Sequence, residues 1–286
     1  MVGRVVKGIG GFYFVFDGGH TYMGKARGKL KRNKELIYVG DIVEYELSEN
    51  NECIITKVLE RKNFLSRPPV SNVEMLVVVF ASAHPEVNFP IIDKLIAGAE
   101  YRGIEVAICI TKKDLQSKDV VDEYVATYKD TYPTVAVDSI SGDGIAELME
   151  IIDNHSVALA GPSGVGKSTL LNAMLDSQVA ETGSISDKTQ RGKHTTRHVE
   201  IFSIGENTFV YDTPGFTSLD LPMVDKYELK SLFPEFRKRE GKCKYADCLH
   251  LSEPECAVKQ DVQEGKIAKT RYYSYTLMME EVKTWH

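Results

Sequence analysis

A nine-residue segment near the middle of the chain has the composition and spacing of a phosphate-binding loop. Its sequence, Gly-Pro-Ser-Gly-Val-Gly-Lys-Ser-Thr, fits G-x-x-x-x-G-K-[ST] and lies between the apolar runs 157–160 and 170–175. Glycines let backbone N–H groups turn inward around phosphate oxygens, and the helix that follows presents its positive N-terminal end. The residues expected to surround the phosphates are Gly161, Pro162, Ser163, Gly164, Val165, Gly166, Lys167, Ser168 and Thr169.

Two residues at the end of this loop have chemistry that suits a nucleoside triphosphate. Lys167 is expected to reach the β and γ phosphates and to act in catalysis there, and the hydroxyl of Ser168 is expected to ligate a Mg²⁺ ion that bridges them. A second motif, Asp212-Thr-Pro-Gly215, follows the apolar run 208–211. Asp212 would hold the Mg²⁺ shell, and the backbone of Gly215 would face the γ phosphate.

The segment Thr111-Lys112-Lys113-Asp114 closes an apolar strand and is similar to the N-K-x-D motif that binds guanine in GTPases. The carboxylate of Asp114 can accept hydrogen bonds from the ring N–H and the exocyclic amine of guanine, and adenine offers no such pair of donors. Thr111 replaces the usual Asn and can make fewer hydrogen bonds. Ser139 is a candidate for a second contact with the base, and the alternative is an ordinary glycine-containing turn.

The order of these motifs is unusual, because ordinary GTPases place the phosphate loop first and the base-reading segment last. Here the base-reading segment comes first. The strands can still assemble into the same sheet if the chain is circularly permuted, with the usual ends joined near residues 145–156. From about residue 73, buried-type strands alternate with helical stretches, which predicts a parallel sheet covered by helices on both faces.

Candidate groups for hydrolysis lie between the two phosphate motifs. The polar, glycine-bearing segment 190–197 has the composition of a mobile switch, and Thr195 or Thr196 is the candidate second Mg²⁺ ligand. Phe216 stands where Ras-like enzymes carry the water-orienting Gln, so hydrolysis must be organised differently. Our hypothesis is that His194 orients the water; the alternative is a solvated loop histidine.

Three of the five cysteines crowd into one short segment with a histidine, in the spacing Cys243-x₄-Cys248-x-His250-x₅-Cys256. In a cytosolic chain this set indicates a closed tetrahedral structural zinc site, with no position left for a catalytic water. Charged neighbours make the segment too polar for buried, unliganded cysteines. The helical stretches around it lack the apolar mass for a core of their own, so we expect a metal to help fold this region.

The N-terminal part of the chain is basic, whereas the rest is acidic. Residues 1–40 carry eight Lys or Arg against two acidic residues, and the remaining residues carry 27 basic against 39 acidic ones. This distribution suggests an anionic partner for the N-terminal part alone. Short strands up to about residue 64 predict a small barrel. An OB-fold would combine five short strands with oligonucleotide binding, and the alternative is an SH3-like barrel that contacts only protein.

Adjacent prolines in the segment 64–69 break the strand pattern and are typical of a linker. The sequence thus predicts a multidomain α/β protein: an N-terminal OB-fold RNA-binding β-barrel (1–64), a central circularly permuted P-loop GTPase domain (65–220) and a C-terminal α-helical zinc-binding domain (221–286). No apolar run is long enough to span a bilayer, and the N-terminal residues lack the pattern of a signal peptide. We expect a cytoplasmic protein without a membrane partner that works as a monomer.

Taken together, these motifs closely resemble the ribosome small-subunit-dependent GTPase A (RsgA) family over essentially the whole chain. Supporting strings are Leu65-Ser-Arg-Pro-Pro-Val-Ser-Asn-Val-Glu74, Arg191-Gly-Lys-His-Thr-Thr196 and Arg271-Tyr-Tyr-Ser-Tyr275. The resemblance implies a bacterial assembly factor with GTP and GDP as ligands that binds the small ribosomal subunit late in its maturation and contacts ribosomal RNA. It also implies that the subunit stimulates hydrolysis. A second hypothesis is a nucleotide-sensing RNA-binding module in which hydrolysis is incidental, and a third is that ATP is the nucleotide.

Overall fold

The computed structural model of the chain describes residues 1–28, 30, 36–182, 199–212, 216, 219 and 224–283, without the side chains of residues 178–182 and 283. The chain divides into two compact units whose segments interleave along the sequence. The first unit takes its described residues from 1–75, 152–159 and 171–216, and the second from 76–151, 160–170 and 217–286. The boundaries that the sequence suggests at residues 64 and 220 stay a prediction.

Strands make up the first part of the chain, and strands and helices alternate afterwards. The early strands are β1 (Val2–Ile9), β2 (Phe12–Asp17), β3 (His20–Ala26), β4 (Ile42–Leu47), β5 (Cys53–Val58), β6 (Phe64–Ser66) and β7 (Pro69–Ser71). The later elements are β8 (Met75–Ala81), α1 (Phe89–Tyr101), β9 (Glu105–Thr111), α2 (Lys118–Tyr128), β10 (Thr134–Ala136), α3 (Ile145–Ile152), β11 (Ser156–Ala160), α4 (Lys167–Thr182), β12 (Glu200–Ser203), β13 (Phe209–Asp212), α5 (Lys226–Ser231), α6 (Pro234–Arg237), α7 (Ala257–Gln263) and α8 (Lys269–Lys283). No helix within the described ranges has both the length and the apolar composition needed to cross a membrane.

Strands β1 to β5 close a barrel in the first unit. Four of the pairs are antiparallel: β1 with β2, β1 with β4, β2 with β3, and β4 with β5. The fifth pair, β3 with β5, is parallel and closes the circle. This circular order, with its parallel pair, is that of an OB-fold rather than the SH3-like alternative. Side chains that alternate inward along the strands fill the centre, where Val5, Val15, Val43, Tyr45 and Ile55 are at most 1% exposed.

The segment with adjacent prolines forms a short antiparallel hairpin of β6 and β7. Its interpretation as a linker is wrong, because the backbone is paired and polar side chains fix both ends. Asn63 Nδ2 donates to the carbonyl of Val73 at 2.7 Å, and Asn72 Nδ2 donates to the carbonyl of Gly40 at 2.9 Å. The hairpin is therefore attached to the barrel within the first unit.

Parallel strands carry the remaining sheet, as the continuous apolar runs predict. In the first unit β11 runs parallel to β13, β12 pairs antiparallel with β13, and the pair Lys7–Glu200 joins β12 to β1 of the barrel. In the second unit β9 runs parallel to β10. Every residue of β8 is buried, which is typical of a strand covered on both faces and explains its unbroken apolar sequence.

The C-terminal helices of the second unit enclose an apolar cluster that also includes Ala97 of α1. The rings of Phe233 and Phe236 stack with centroids 5.1 Å apart, and Tyr275 meets Phe236 edge-on at 4.9 Å. Met278 and Met279 of α8 are buried in the same cluster. The expectation that this region lacks apolar mass is therefore wrong, because residues far apart in the sequence converge only in the folded chain.

A buried ion network joins α8 to α1 and α6 within the second unit. Arg271 of α8 donates to Asp93 of α1 at 2.7 Å and to Glu235 of α6 at 2.8 Å, and all three side chains are at most 11% exposed. Tyr128 of α2 donates a further hydrogen bond to Asp93 at 3.0 Å. Because these charges lie away from water, each depends on its partners for compensation.

Candidate nucleotide-binding and metal sites

The phosphate-binding loop follows β11 and leads into α4, as the sequence predicts. Gly161 passes so close to β8 that an added Cβ would lie 2.0 Å from the carbonyl oxygen of Val79, so only glycine fits there. Lys167 Nζ donates to the loop carbonyls of Gly161 at 2.6 Å and Pro162 at 2.8 Å. Burial lowers the pKa of Lys167. The ammonium is thus held inside the curve of the loop by the loop's own backbone.

Among the other loop residues, one is buried and four form an exposed rim. Val165 is buried, whereas Ser163, Gly164, Ser168 and Thr169 are exposed. Ser168 and Thr169 belong to the first turn of α4, where N–H groups without intrahelical partners and the helix dipole favour an anion. Phosphate oxygens could therefore approach the rim without displacing core side chains.

Thr111 lies at the end of β9 and is hydrogen-bonded to the phosphate-binding loop. Its side chain is 1% exposed, and its Oγ1 is 2.6 Å from the carbonyl oxygen of Val165 and 3.2 Å from that of Phe80. The hydroxyl is therefore taken up by backbone acceptors of the protein. The sequence suggested a contact of Thr111 with the base, which stays a prediction.

Lys112 makes a second connection between the base-reading segment and the loop. Its backbone has a left-handed conformation with φ of 57°. Its Nζ donates to the carbonyl of Gly164 at 2.9 Å and also to the carbonyl of His84. The Thr111 and Lys112 side chains therefore hold two successive residues of the phosphate-binding loop, Gly164 and Val165, next to the base-reading segment.

Asp114 is exposed in a 3₁₀ turn, Lys113–Leu115, that follows β9 directly. Lys113 forms an ion pair with Asp143 at 2.7 Å, which connects this turn to the loop 138–144. In that loop the Oγ of Ser139 is buried and has no hydrogen-bond partner among the described residues. Buried hydroxyls normally have partners, so Ser139 remains a candidate for a ligand contact.

The structure places only part of the γ-phosphate motif and the switch. Asp212 is the last residue of β13, at the strand end where the sequence predicts it. Phe216 is fully buried, which fits the expectation that this position does not orient a water. Gly215, His194, Thr195 and Thr196 lie outside the described residues, and the roles suggested for them stay predictions.

Cys243, Cys248, His250 and Cys256 bring four ligand atoms together in the second unit, all within 4.8 Å of one another. His250 Nδ1 lies 3.6, 3.4 and 3.3 Å from the three sulfur atoms in sequence order, and the sulfurs of Cys243 and Cys256 are 3.9 Å apart. A tetrahedral zinc with bonds of about 2.3 Å to sulfur and 2.0–2.1 Å to nitrogen requires edges of about 3.8 and 3.6 Å. The donor set and these four separations therefore fit zinc.

Hydrogen bonds from α8 and from an acidic side chain hold the turn around His250. Tyr272 donates to the carbonyl of His250 at 2.7 Å, and Tyr275 donates to that of Leu249 at 2.6 Å. Glu253 accepts from the N–H of Leu249 at 2.8 Å. Burial raises the pKa of Glu253, but hydrogen bonds from backbone N–H groups outweigh burial and lower it overall. Such outer contacts orient the ligands, so α8 is part of the site.

Sequence reasoning missed the short segment that follows β8. Ser82 Oγ donates to the carbonyl of Lys112 at 2.7 Å, and the carbonyl of His84 accepts from Lys112 Nζ. A signal was present, because polar residues come directly after a fully apolar strand, at the sheet edge where ligands of parallel sheets bind. The segment has no phosphate-loop or base-reading pattern of its own.

A P-loop that comes after the base-reading segment in the chain, yet is hydrogen-bonded to it in the fold, defines the class of circularly permuted GTPases. The family model described as RsgA GTPase matches residues 58–222, and the one described as RsgA N-terminal domain matches residues 2–55. The chain belongs to the RsgA family, and it is a GTP hydrolase.

Relatives and solved structures match over nearly the full length. The small ribosomal subunit biogenesis GTPase RsgA of Agathobacter rectalis is 40% identical over 99% of this chain and 98% of its own. That of Carboxydothermus hydrogenoformans is 42% identical, with the same two shares. The crystal structure of YjeQ from Thermotoga maritima is 36% identical, with a TM-score of 0.82 over 98% of both chains. YloQ, described as a circularly permuted GTPase, is 33% identical, with a TM-score of 0.80 over 100% of this chain and 96% of its own.

Proposed function

We propose that this protein is a Mg²⁺-dependent GTPase that acts late in the assembly of the small ribosomal subunit, binds ribosomal RNA, and hydrolyses GTP faster on the subunit. Support for the subunit as partner comes from the names of its full-length relatives, which are small ribosomal subunit biogenesis GTPases. The observation that carries the nucleotide site is the hydrogen bond between Thr111 and the Val165 carbonyl. It holds the base-reading segment against the loop that would receive the phosphates of the same nucleotide.

Within this proposal each side chain has a definite task toward GTP. Asp114 accepts the two guanine donors, and Ser139 offers its buried hydroxyl to the base. The loop 161–169 surrounds the phosphates, with Lys167 neutralising their charge. Ser168 and Asp212 would hold Mg²⁺, an ion that in such sites neutralises charge developing on the phosphate oxygens.

The switch and the second phosphate motif complete the site in this proposal. Gly215 would donate its N–H to the γ phosphate, and Thr195 or Thr196 would add a ligand for Mg²⁺. His194 would orient the attacking water, since Phe216 cannot. A His194→Ala variant that binds GTP normally and keeps full turnover would remove this role.

For the cysteine cluster we propose a single structural zinc per chain. Three thiolates and an imidazole leave no coordination position for a substrate, so the metal would not take part in hydrolysis. Its ligands converge beside the aromatic cluster of Phe233, Phe236 and Tyr275. Zinc would therefore fix the turn 243–256 onto a core that the helices already provide.

For RNA we propose the barrel as the binding surface. OB-folds bind oligonucleotides on the face of strands 2 and 3. On that face Lys25 lies 4.4 Å from the ring of exposed Phe12, a pairing of cation and aromatic ring that suits a stacked base and a phosphate. Two of the described basic residues already have acidic partners, since Lys7 pairs with Glu200 at 2.9 Å and Arg27 with Glu46 at 3.0 Å. Only part of the N-terminal positive charge is therefore available to RNA.

We infer a cytoplasmic monomer without a membrane partner. The proposed partner, the small ribosomal subunit, would be met in the cytoplasm, and one chain would act on one subunit. Size-exclusion chromatography with light scattering, with and without GDP, tests the oligomeric state: a dimer in either condition would contradict it.

Measured turnover with and without purified small ribosomal subunits tests the central proposal. We expect the subunit to raise kcat by about tenfold or more, as trans-acting partners do for GTPases with incomplete catalytic sites. Lys167→Ala should abolish nucleotide binding and turnover in both conditions. GDP, but not ADP, should displace bound GTP, and displacement by ADP would support the ATP hypothesis instead.

The second hypothesis, an RNA-binding module in which hydrolysis is incidental, has one observation in its favour. The buried Phe216 occupies the position of the water-orienting Gln. Under this hypothesis the subunit binds in a nucleotide-dependent manner but leaves kcat unchanged. Subunit binding and kcat, measured on the same sample, therefore separate the two.

A further inference from the structure

Tyr211 immediately precedes Asp212 in β13, and its side chain meets the segment at the end of β7. Its hydroxyl donates to the carbonyl of Ser71 at 2.7 Å and lies 3.2 Å from the carbonyl of Asn72. The side chain is 1% exposed, so water cannot replace these partners. A buried hydroxyl that loses such an acceptor is destabilised, which makes the contact hard to break.

The segment that Tyr211 contacts also holds the turn before β4 of the barrel. Ser71 Oγ donates to the carboxylate of Asp41 at 2.6 Å, and Asn72 Nδ2 donates to the carbonyl of Gly40 at 2.9 Å. Gly40 has a φ of 98°, and an added Cβ would lie 2.1 Å from the Ser71 carbonyl oxygen and 2.6 Å from the Tyr211 hydroxyl. The hydroxyl and the turn are therefore in direct contact, with room only for glycine between them.

Asp41 extends this network into the barrel. Its carboxylate is fully buried and also accepts from Arg61 Nε at 2.6 Å. The N–H of Val5 in β1 donates to the carbonyl of Asp41 at 2.8 Å, and the N–H of Gly40 donates back to the carbonyl of Val5 at 2.8 Å. A buried charge with fixed partners cannot shift independently of them. A displacement of the Ser71 segment would therefore move the turn and β1 as well.

A second contact between β1 and β13 lies beside the first. The guanidinium of Arg4 is 4.7 Å from the ring centroid of Phe209, and Phe16 of β2 meets the same ring edge-on at 5.6 Å. The barrel therefore contacts β13 through packed rings as well as through hydrogen bonds. All these residues belong to the first unit.

We propose that Tyr211 is a positioning residue that couples the strand ending in Asp212 to the barrel, so that the barrel responds to the bound nucleotide. The inference rests on the proposed role of Asp212 toward Mg²⁺. Asp212 and Tyr211 are adjacent in one strand, so a displacement of Asp212 reaches the Ser71 segment through a single peptide unit. Coupling of this kind is reciprocal, so a ligand bound to the barrel changes the affinity for the nucleotide by the same factor as the nucleotide changes the affinity for that ligand.

Hydrogen exchange on the full chain tests this coupling without the ribosomal partner. The chain is saturated with Mg²⁺ and either GDP or a non-hydrolysable GTP analogue, and exchange is followed in peptides covering residues 36–47. In the wild type we expect the amides of Gly40 and Asp41 to exchange at rates that differ about fivefold between the two nucleotides, the size of a typical single coupling. Tyr211→Phe keeps the ring but removes the hydroxyl, and should reduce this difference to less than about twofold.

Tyr45→Phe is the matched control, because Tyr45 is equally buried and its hydroxyl donates at 2.8 Å to Asp17 of β2, not to the Ser71 segment. It should keep the nucleotide-dependent difference. The inference would be overturned if the wild type showed equal exchange rates with GDP and with the GTP analogue. It would also be overturned if Tyr211→Phe kept the full difference between the two nucleotides. Should Tyr211→Phe fold poorly, Ser71→Ala cuts the same network at its barrel end and must give the same loss.

A binding measurement with purified small subunits separates this inference from the proposed function. We expect the ratio of subunit affinities in the GTP-analogue and GDP states to fall about fivefold in Tyr211→Phe and to be kept in Tyr45→Phe. Failure of the wild type to bind subunits contradicts the proposed function, while the exchange experiment still decides the coupling.

Discussion

The Thr111 hydroxyl lies 2.6 Å from the carbonyl oxygen of Val165, a residue 54 positions later in the chain. Thr111 ends the strand that carries the base-reading segment, and Val165 is the buried residue of the phosphate-binding loop. This hydrogen bond, together with that from Lys112 to the carbonyl of Gly164, therefore holds the two parts of the nucleotide site at a fixed spacing. The two parts have no short covalent connection, so their spacing depends on contacts of this kind.

Replacing Thr111 by Val should weaken GDP binding about tenfold, because a buried carbonyl left without its donor costs roughly 1–3 kcal/mol. Val has nearly the shape of Thr, so packing is kept and the hydroxyl alone is removed. Fluorescence titration with a labelled GDP measures the change. Thr111→Ser keeps the hydroxyl and is the matched control; equal affinities for Val and Ser variants would contradict this role of the hydroxyl.

Asp114→Asn should exchange guanine specificity for xanthine specificity. Guanine presents two donors to the carboxylate, whereas xanthine presents one donor and one carbonyl acceptor, which match the oxygen and the NH₂ of Asn. Loss of two charge-assisted hydrogen bonds should weaken GDP binding about 100-fold or more. Competition among GDP, xanthosine diphosphate and ADP measures the change. Unchanged GDP affinity would show that another residue reads the base.

Zinc affinity should rise with pH. In the metal-free cluster, burial raises the pKa of the Cys248 thiol to about 12 and also raises that of Cys256. These thiols are protonated at neutral pH, and zinc must displace their protons. Zinc binding is therefore weaker in acid and stronger in alkali, and its affinity changes by up to about tenfold per pH unit for each thiol ionised. Competition with a colorimetric chelator between pH 6.5 and 8.5 measures the slope.

The matched variants for that experiment are Cys256→Ser and Cys53→Ala. Cys256→Ser removes a ligand and should lower the zinc content from one per chain to nearly none. Cys53 lies in the core of the barrel, outside the cluster, so its replacement should leave the zinc content unchanged. A pH-independent affinity, or full zinc in Cys256→Ser, would contradict the Cys₃His assignment.

Arg271→Met should destabilise the second unit by about 3–5 kcal/mol, because it leaves the carboxylates of Asp93 and Glu235 buried without their cation. Urea unfolding followed by tyrosine and tryptophan fluorescence measures the loss. Arg237 pairs with Glu100 at 3.1 Å but is about half exposed, so Arg237→Met should cost at most about 1 kcal/mol. Similar losses of unfolding free energy for the two variants would show that burial does not decide how much these ion pairs stabilise the protein.

Features that depend on neighbouring residues were predicted from the sequence. The loop 161–169, the strand end at Asp212 and the alternation of β8 to β11 with helices are local patterns of residue type and spacing, and the structure places each as expected. The four zinc ligands lie within 14 consecutive residues, so their convergence could also be predicted. Motif order, which is a property of the sequence itself, identified the permutation.

Features that depend on residues distant in the chain were decided only by the tertiary structure. The Thr111 hydroxyl bonds the Val165 carbonyl, Arg271 meets Asp93 across 178 positions, and Tyr211 meets Ser71 across 140. Backbone carbonyls carry no signature in the sequence, and an arginine has the same letter whether it is buried or solvated. The sequence by itself therefore indicated which groups are candidates for binding and hydrolysing GTP. The fold decided which of them are held together, because only packing brings a donor within reach of its acceptor.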